Sequence, residues 1–183
     1  MQTLPTISIL NPADYNHYKS FFADCIEYSI DANLRRFNPP SNYEKDIFYE
    51  WLGTDRIYIC NRNSKNIGFI VFETKDTSQG RTHQVSFYIH PKVCKLASIS
   101  LARSAAVLAY CELATLNDSQ VITTTLHNLV YSVYSQYYTV KAIKSGDYYI
   151  INSETKEDTL QRIINSFEHE DLKSYFELFN IKL

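Results

Sequence analysis

Hydrophobic and polar positions change period several times along the chain, and each change marks a predicted element. Thr6 to Leu10 is a short β-branched and aliphatic run of strand character, ended by Asn11-Pro12-Ala13-Asp14. Asn caps a helix with its side-chain oxygen, and Pro suits the first turn, whose N–H groups have no helical partner to lose. A helix therefore follows the strand. Tyr18, Phe21, Phe22, Cys25 and Ile26, at three-and-four spacing, give it one apolar stripe as far as about Ile30. Arg35 to Pro40 is a connecting loop, after which Ser41-Asn42-Tyr43-Glu44 has the Ser-x-x-Glu form of a reciprocal cap. A second helix burying Ile47, Phe48, Trp51 and Leu52 follows, closed by Gly53.

The period then shortens. Arg56 to Cys60 and Ile67 to Thr74 are strand-like, with polar Asn61 to Asn66 as a hairpin loop between them. Lys75 to Arg81 is a second polar turn region, and in His83 to His90 Val85, Phe87 and Ile89 alternate with Gln84, Ser86 and Tyr88. Three strands in series predict an antiparallel meander. Pro91 stops the third, and from about Ser98 to Leu116 runs the clearest helix, with Ala102, Ala105, Ala106 and Ala109 beside Leu101, Leu108 and Cys111. So many alanines permit close approach to a sheet. Val121 to Leu126 is a continuous apolar and β-branched run, as in a buried strand, and Asn128 to Tyr138 forms a short helix. Lys141 to Ile143 and Tyr148 to Ile151 flank Ser145-Gly146-Asp147, a hairpin-like turn. Beyond Ser153, Leu160, Ile163, Ile164 and Phe167 mark one amphipathic helix, and Leu172, Tyr175, Phe176 and Phe179 a second, with His169-Glu170-Asp171 between them.

A length of 183 residues, 45% hydrophobic, suits one globular core and leaves little room for a second. Eighteen basic against twenty acidic residues set up no overall field toward nucleic acid or anionic membrane, so an anionic ligand must be held locally. The N-terminus lacks a basic start, and no apolar run approaches the ~20 residues that span a bilayer. These features predict a cytoplasmic protein without membrane or nucleic-acid partners. Cys25, Cys60, Cys94 and Cys111 are widely spaced and predicted to be free thiols, and the Asn117-Asp118-Ser119 sequon is a chance match in that compartment. The many tyrosines and phenylalanines serve packing first. No His, Cys or carboxylate group has metal-ligand spacing, since His169-Glu170-Asp171 lacks the second His of a zinc helix, and none is expected to hold a metal. A Gly-x-Ser-x-Gly elbow is also absent.

The order of elements from Thr6 to Ile151 resembles the GNAT superfamily of acyl-coenzyme A dependent N-acyltransferases. The resemblance implies an α/β fold with a central, mostly antiparallel mixed sheet, helices on both faces, and fourth and fifth strands that splay apart to admit the cofactor's pantetheine arm. His83 to His90 would be the fourth strand and Val121 to Leu126 the fifth. Residues 1–152 would form this domain, and residues 153–183 a helical extension packed on it or at a dimer interface. The sharpest local match is Ile89-His90-Pro91 before the alanine-rich helix, which looks like the family's Val-x-Pro strand end leading into its pyrophosphate loop. Independently of any family, a loop entering a helix offers amides and a positive dipole end to phosphate. The family loop reads Arg or Gln, two residues, Gly, one residue, Gly or Ala; here those positions fall on Cys94, Ala97 and Ile99, or one residue on at Lys95, Ser98 and Ser100. The loop is thus free of glycine. The cofactor contacts implied are Ile89, Cys94, Lys95, Leu96, Ala97, Ser98, Ile99, Ser100 and Asn128.

Asn128 to Tyr138 resembles the family segment in which an Asn starts a short helix and a Tyr near its end reaches the cofactor sulfur. Tyr134 aligns best, with Tyr131 and Tyr137 as neighbours. A phenol with an ordinary pKa of about 10 is protonated at neutral pH and can donate to a departing thiolate. The attacking amine must be neutral, so the resemblance calls for a base, and His90, His127 and Glu73 are the candidates. The implied activity is transfer of an acyl group from acetyl-CoA, or another acyl-CoA, to a primary amine on a small molecule, sugar nucleotide or peptide. The alternative is a GNAT-shaped binding or interaction module that has lost acyl transfer, with Phe167, Tyr175, Phe176 and Phe179 forming a homodimer interface.

Overall fold

A computed structural model of the chain describes residues 3–31, 56–77, 80–93, 95–116, 120–124, 128–142, 148–152 and 156–182. The helix predicted from Ser41 to Gly53, the loop before it, Cys94, the sequon, His127 and the Ser145-Gly146-Asp147 turn lie outside the described residues. Strands β1 (Thr6–Ile9), β2 (Arg56–Arg62), β3 (Lys65–Thr77), β4 (Gly80–Ile89), β5 (Gln120–Thr124), β6 (Thr139–Ala142) and β7 (Tyr148–Asn152) form one seven-stranded sheet in the order β1-β2-β3-β4-β5-β7-β6. Every neighbouring pair is antiparallel except β4 and β5. The helices are α1 (Tyr15–Asp31), α2 (Lys95–Leu116), α3 (Asn128–Tyr134), α4 (Lys156–Ser166) and α5 (His169–Leu178).

Local signals explain the entry to α1. Asn11 Oδ1 accepts from the Ala13 amide at 3.0 Å, and Pro12 opens a short 3-10 turn that runs into the helix. The β2–β3 connection is tighter than the six-residue loop predicted from the polar stretch Asn61 to Asn66. Pairing continues through Arg62 and Lys65, and only Asn63 and Ser64 turn, with φ of 52° and 61°. Two successive left-handed residues match the twist of flanking strands, and strand pairing needs backbone groups rather than apolar side chains. β3 and β4 likewise pair further than predicted, as far as Thr77 and Gly80.

The sheet is covered on both faces. Ile70, Phe72, Val85 and Ile89 pack with Leu101, Ala102, Ala105, Ala106 and Leu108 of α2 in the main core. Ile57, Ile59, Phe69, Val71 and Tyr88 pack with Phe22, Cys25 and Ile26 of α1 on the other side. The alternation along β4 therefore separates two buried faces rather than an inner and an outer one, and Ser86 and Tyr88 are as buried as Val85. Gly68 on β3 is held by this packing. A Cβ there would collide with the Tyr88 carbonyl oxygen and lie 2.7 Å from Leu101 Cδ1, so no larger residue lets α2 sit this close.

The C-terminal helices complete the same core. Ile163, Phe167, Leu172, Tyr175 and Phe176 are buried against it, and Phe179 is partly so. Tyr175 donates to the Pro5 carbonyl at 2.7 Å and meets Ser104 Oγ at 2.8 Å, while the Leu4 amide donates to Asp171 Oδ2 at 3.2 Å. The aromatic stripe proposed for a second copy of the chain is thus spent largely inside this domain. The expectation that no segment is long and apolar enough to cross a membrane needs correction. Ala97–Leu116 has a mean hydropathy of 1.3 over a membrane-spanning length, because alanine and leucine outweigh its few charges, yet 72% of that stretch is buried in the fold. Cys25, Cys60 and Cys111 are free, and burial pushes each thiol well above its ordinary range.

Candidate functional site

The one parallel pair carries the geometry of the site. Gln84 faces Ile122 and Val85 faces Thr123; among the described residues the ladder stops there, although β4 continues to Ile89. On its far side β5 keeps β7 from Gln120 to Thr124. β4 and β5 therefore fork after Val85. His90 to Cys94 lead from the end of β4 to α2, which starts at Lys95, three residues before the predicted start near Ser98. The unpaired amides of that first helical turn, Lys95 to Ser98, follow the end of β4 by a short connection.

This early start moves most of the predicted pyrophosphate loop into helix. Ala97 and Ser100 turn inward and are buried, while Ser98 and Ile99 are half-buried. Ser100 Oγ accepts from Arg62 Nη1 at 3.4 Å, which ties the first turns of α2 to the end of β2. Ala97 in one alignment register and Ser100 in the other are thus packed inward. Ile89 ends β4 at the mouth of the fork, and Asn128 opens α3.

The candidate bases separate clearly. His90 Nδ1 accepts from the Lys92 amide at 3.3 Å, its Nε2 lies 3.6 Å from Asp24 Oδ2, and its ring stacks on Phe21 at 5.4 Å. These contacts pin the end of β4 to α1. Glu73 lies elsewhere, on β3 directly across from Gln84, the last residue but one before the fork. Val71 and Tyr88 fix the side it projects from, the face covered by α1. Glu73 is only 7% exposed and Ser86 only 4%, and Gln84 Nε2 donates to Ser86 Oγ at 3.2 Å. Sequence reasoning missed Gln84 and Ser86, which look like the polar half of an ordinary alternating strand.

The three tyrosines of the α3 segment occupy different environments. Tyr131 is 45% exposed, and Tyr137 is fully buried beside Phe167, with burial pushing its phenol up. Tyr134, 1% exposed, ends α3; its carbonyl accepts from the Tyr137 and Tyr138 amides at 3.0 and 2.9 Å. Tyr138 then anchors the segment to α2 by donating to the Ala106 carbonyl at 2.6 Å. Tyr134 is thereby held at a fixed point between α2 and the strands that follow.

No family model and no curated protein matches the sequence. Solved structures match the architecture. The yncA protein of Salmonella typhimurium, solved with its cofactor acetyl-CoA, superposes with a TM-score of 0.57 at 14% identity, over 80% of this chain and 90% of its own. An acetyltransferase of the GNAT family from Streptococcus pneumoniae gives 0.54 at 12%, over 80% and 96%. The chain has the GNAT fold. A third neighbour, the paia N-acetyltransferase of Thermoplasma acidophilum in complex with coenzyme A, gives 0.51 at 12%, over 81% of this chain and 99% of its own. These three neighbours are covered over 90%, 96% and 99% of their own lengths.

A second polar cluster lies under α2, away from the fork, and no sequence pattern announced it. Glu112 is fully buried; it accepts from the Tyr58 hydroxyl, and Arg56 Nη1 lies 3.3 Å from Oε2. Burial pushes the Glu112 carboxyl above its ordinary range, against the opposing pull of Tyr58, Arg56 and His83. Tyr58 is raised far above the usual phenol range, first by burial and then by Glu112. His83 itself meets Thr74 Oγ1 at 3.0 Å and stacks on Phe72. These contacts hold α2 against β2 at the end opposite to Ser100 and Arg62.

Proposed function

We propose that the chain is an acyl-CoA dependent N-acyltransferase, in its simplest form an N-acetyltransferase, acting on a primary amine by direct attack on the thioester. The observation that carries this reading is the fork after Val85, which opens onto the first turn of α2. A pantetheine arm is an extended chain with two amides, and a strand that runs on beyond its ladder suits it as an added strand would. The helix start supplies amides and a positive dipole end for the pyrophosphate without needing net positive charge on the protein. Tyr134 is our choice of acid for the departing thiolate.

The glycine-free start of α2, with Ala97 and Ser100 packed inward, favours a second reading: a GNAT-shaped binding module without turnover. Isothermal titration with acetyl-CoA and with coenzyme A separates the two. The enzyme reading expects saturable binding in the micromolar range, about −8 kcal/mol, and release of thiol when an amine is added. Folded protein that takes up neither ligand would overturn it. Tyr134→Phe is expected to lower turnover by about 10²-fold or more, the lower end of a general-acid contribution, with coenzyme A affinity unchanged. Full turnover in that variant would remove Tyr134 from the chemistry.

A further inference from the structure

Every residue of α2 from Ser100 to Leu113 is buried except Arg103, which is half-buried. That stretch carries two charges, and the fold treats them differently. Glu112 meets the Tyr58 hydroxyl and Arg56. Arg103 pairs with no carboxylate among the described residues, and its Nε is enclosed without a hydrogen-bond partner among them. A second enclosed polar atom stands nearby. The Tyr137 hydroxyl, in the segment after α3, also meets no hydrogen-bond partner among the described residues. Burial raises its pKa, while Arg103 and the Ser166 hydroxyl are near enough to pull the other way. Ser166, the last residue of α4, donates to the Arg162 carbonyl at 2.7 Å, so its proton is not given to Tyr137. An enclosed donor without an acceptor carries the full cost of its desolvation, and a cation carries more. Arginine only donates, and a phenol kept protonated donates as well, so one acceptor with several oxygens would serve both.

We propose that Arg103 and the Tyr137 hydroxyl, with Ser166 and Arg162 at the rim, bind a phosphate group, free or carried as a monoester. The site does not depend on acyl transfer, and Arg103 stands about 12 Å along α2 from Lys95 and the helix start. A phosphate has oxygens enough for both donors: two fit the Nε–Nη edge of the guanidinium, and another takes the phenol proton. A carboxylate would be spent on the guanidinium alone. Being half-buried, Arg103 is reached from the surface, and the side chains over Nε part as the anion seats. Arg162, one turn before Ser166 on α4, offsets the negative end of that helix's dipole.

The test follows thermal unfolding of the full chain in inorganic phosphate and in chloride at matched ionic strength, with calorimetric titration of phosphate beside it. Wild type is expected to gain stability with phosphate concentration as a ligand of the native state gives it, and to gain less from chloride. Arg103→Gln removes a charge that has no partner; it is expected to fold and to lose about 10-fold or more in phosphate affinity. Tyr137→Phe keeps the packing on Phe167 and is expected to weaken phosphate binding by a smaller factor. Equal stabilisation by phosphate and chloride overturns the site. Undiminished phosphate affinity in Arg103→Gln also overturns it, and should that variant not fold, Tyr137→Phe decides in the same way. Coenzyme A and its 3′-dephospho form, added separately, identify the source. Competition by coenzyme A alone assigns the site to a phosphate carried on the coenzyme, and competition by neither assigns it to free phosphate. Competition by both puts the bound phosphate at the start of α2 and overturns the assignment.

Discussion

Glu112 is a fully buried carboxyl on an alanine-rich helix, and its partners come from β2, 54 residues away in sequence. Its pKa is raised by burial, so the folded state holds its proton to a higher pH than the unfolded chain does. Between those two values the native state binds more protons, and stability falls as pH rises through the window. Glu112→Gln keeps the volume and removes the titration. Urea unfolding of both proteins at pH 7 and pH 5 is expected to show wild type gaining on the variant upon acidification; parallel changes would mean that Glu112 titrates alike folded and unfolded. Gly68→Ala works by space instead. The new methyl meets the Tyr88 carbonyl and Leu101, and a cost of about 1–3 kcal/mol is expected from such overpacking. A denaturation midpoint equal to wild type would show that the β3–β4 pair yields freely.

At the scale of elements, what could be read from the sequence was what is local. The Asn11-Pro12 cap, the stripe of α1, the alanine face of α2 and the two C-terminal helices each depend on residues within a turn or two of one another. The hairpin at Asn63-Ser64 was overestimated in length because polar side chains hide strand pairing that only the backbone makes. The start of α2 was placed near Ser98, where the alanine and leucine stripe becomes regular, whereas Ala97 packing and the Arg62–Ser100 contact accompany a helix that begins at Lys95. The candidate site divides in the same way. The early end of the β4–β5 ladder was legible through strand order, whereas the burial of Ser86 follows only from the second covered face of β4. Nor does anything in α2 alone announce that Glu112 will find Tyr58 and Arg56.

For the whole molecule, the C-terminal pair of helices is the piece the GNAT resemblance left undecided between an attachment and an interface. Its aromatic side chains lie in the main core beside α2, and Tyr175 bridges Ser104 and Pro5. Removing Ser153 to Leu183 would expose that part of the core and strip the partners from the first strand's approach. The shortened chain is expected to lack a cooperative thermal transition. A sharp transition from a soluble truncated protein would show that residues 1–152 fold without it.

The contact between Leu4 and Asp171 spans 167 positions, and that between Pro5 and Tyr175 spans 170. At about 5–20 residues per second, a translating ribosome needs roughly 10–30 s to deliver the second half of that clasp after the first. Throughout that interval the N-terminal strand waits without the helix that will hold it. The clasp therefore closes only once Asp171 and Tyr175 have been made, and a nascent-chain chaperone has a long opportunity at the strand made first.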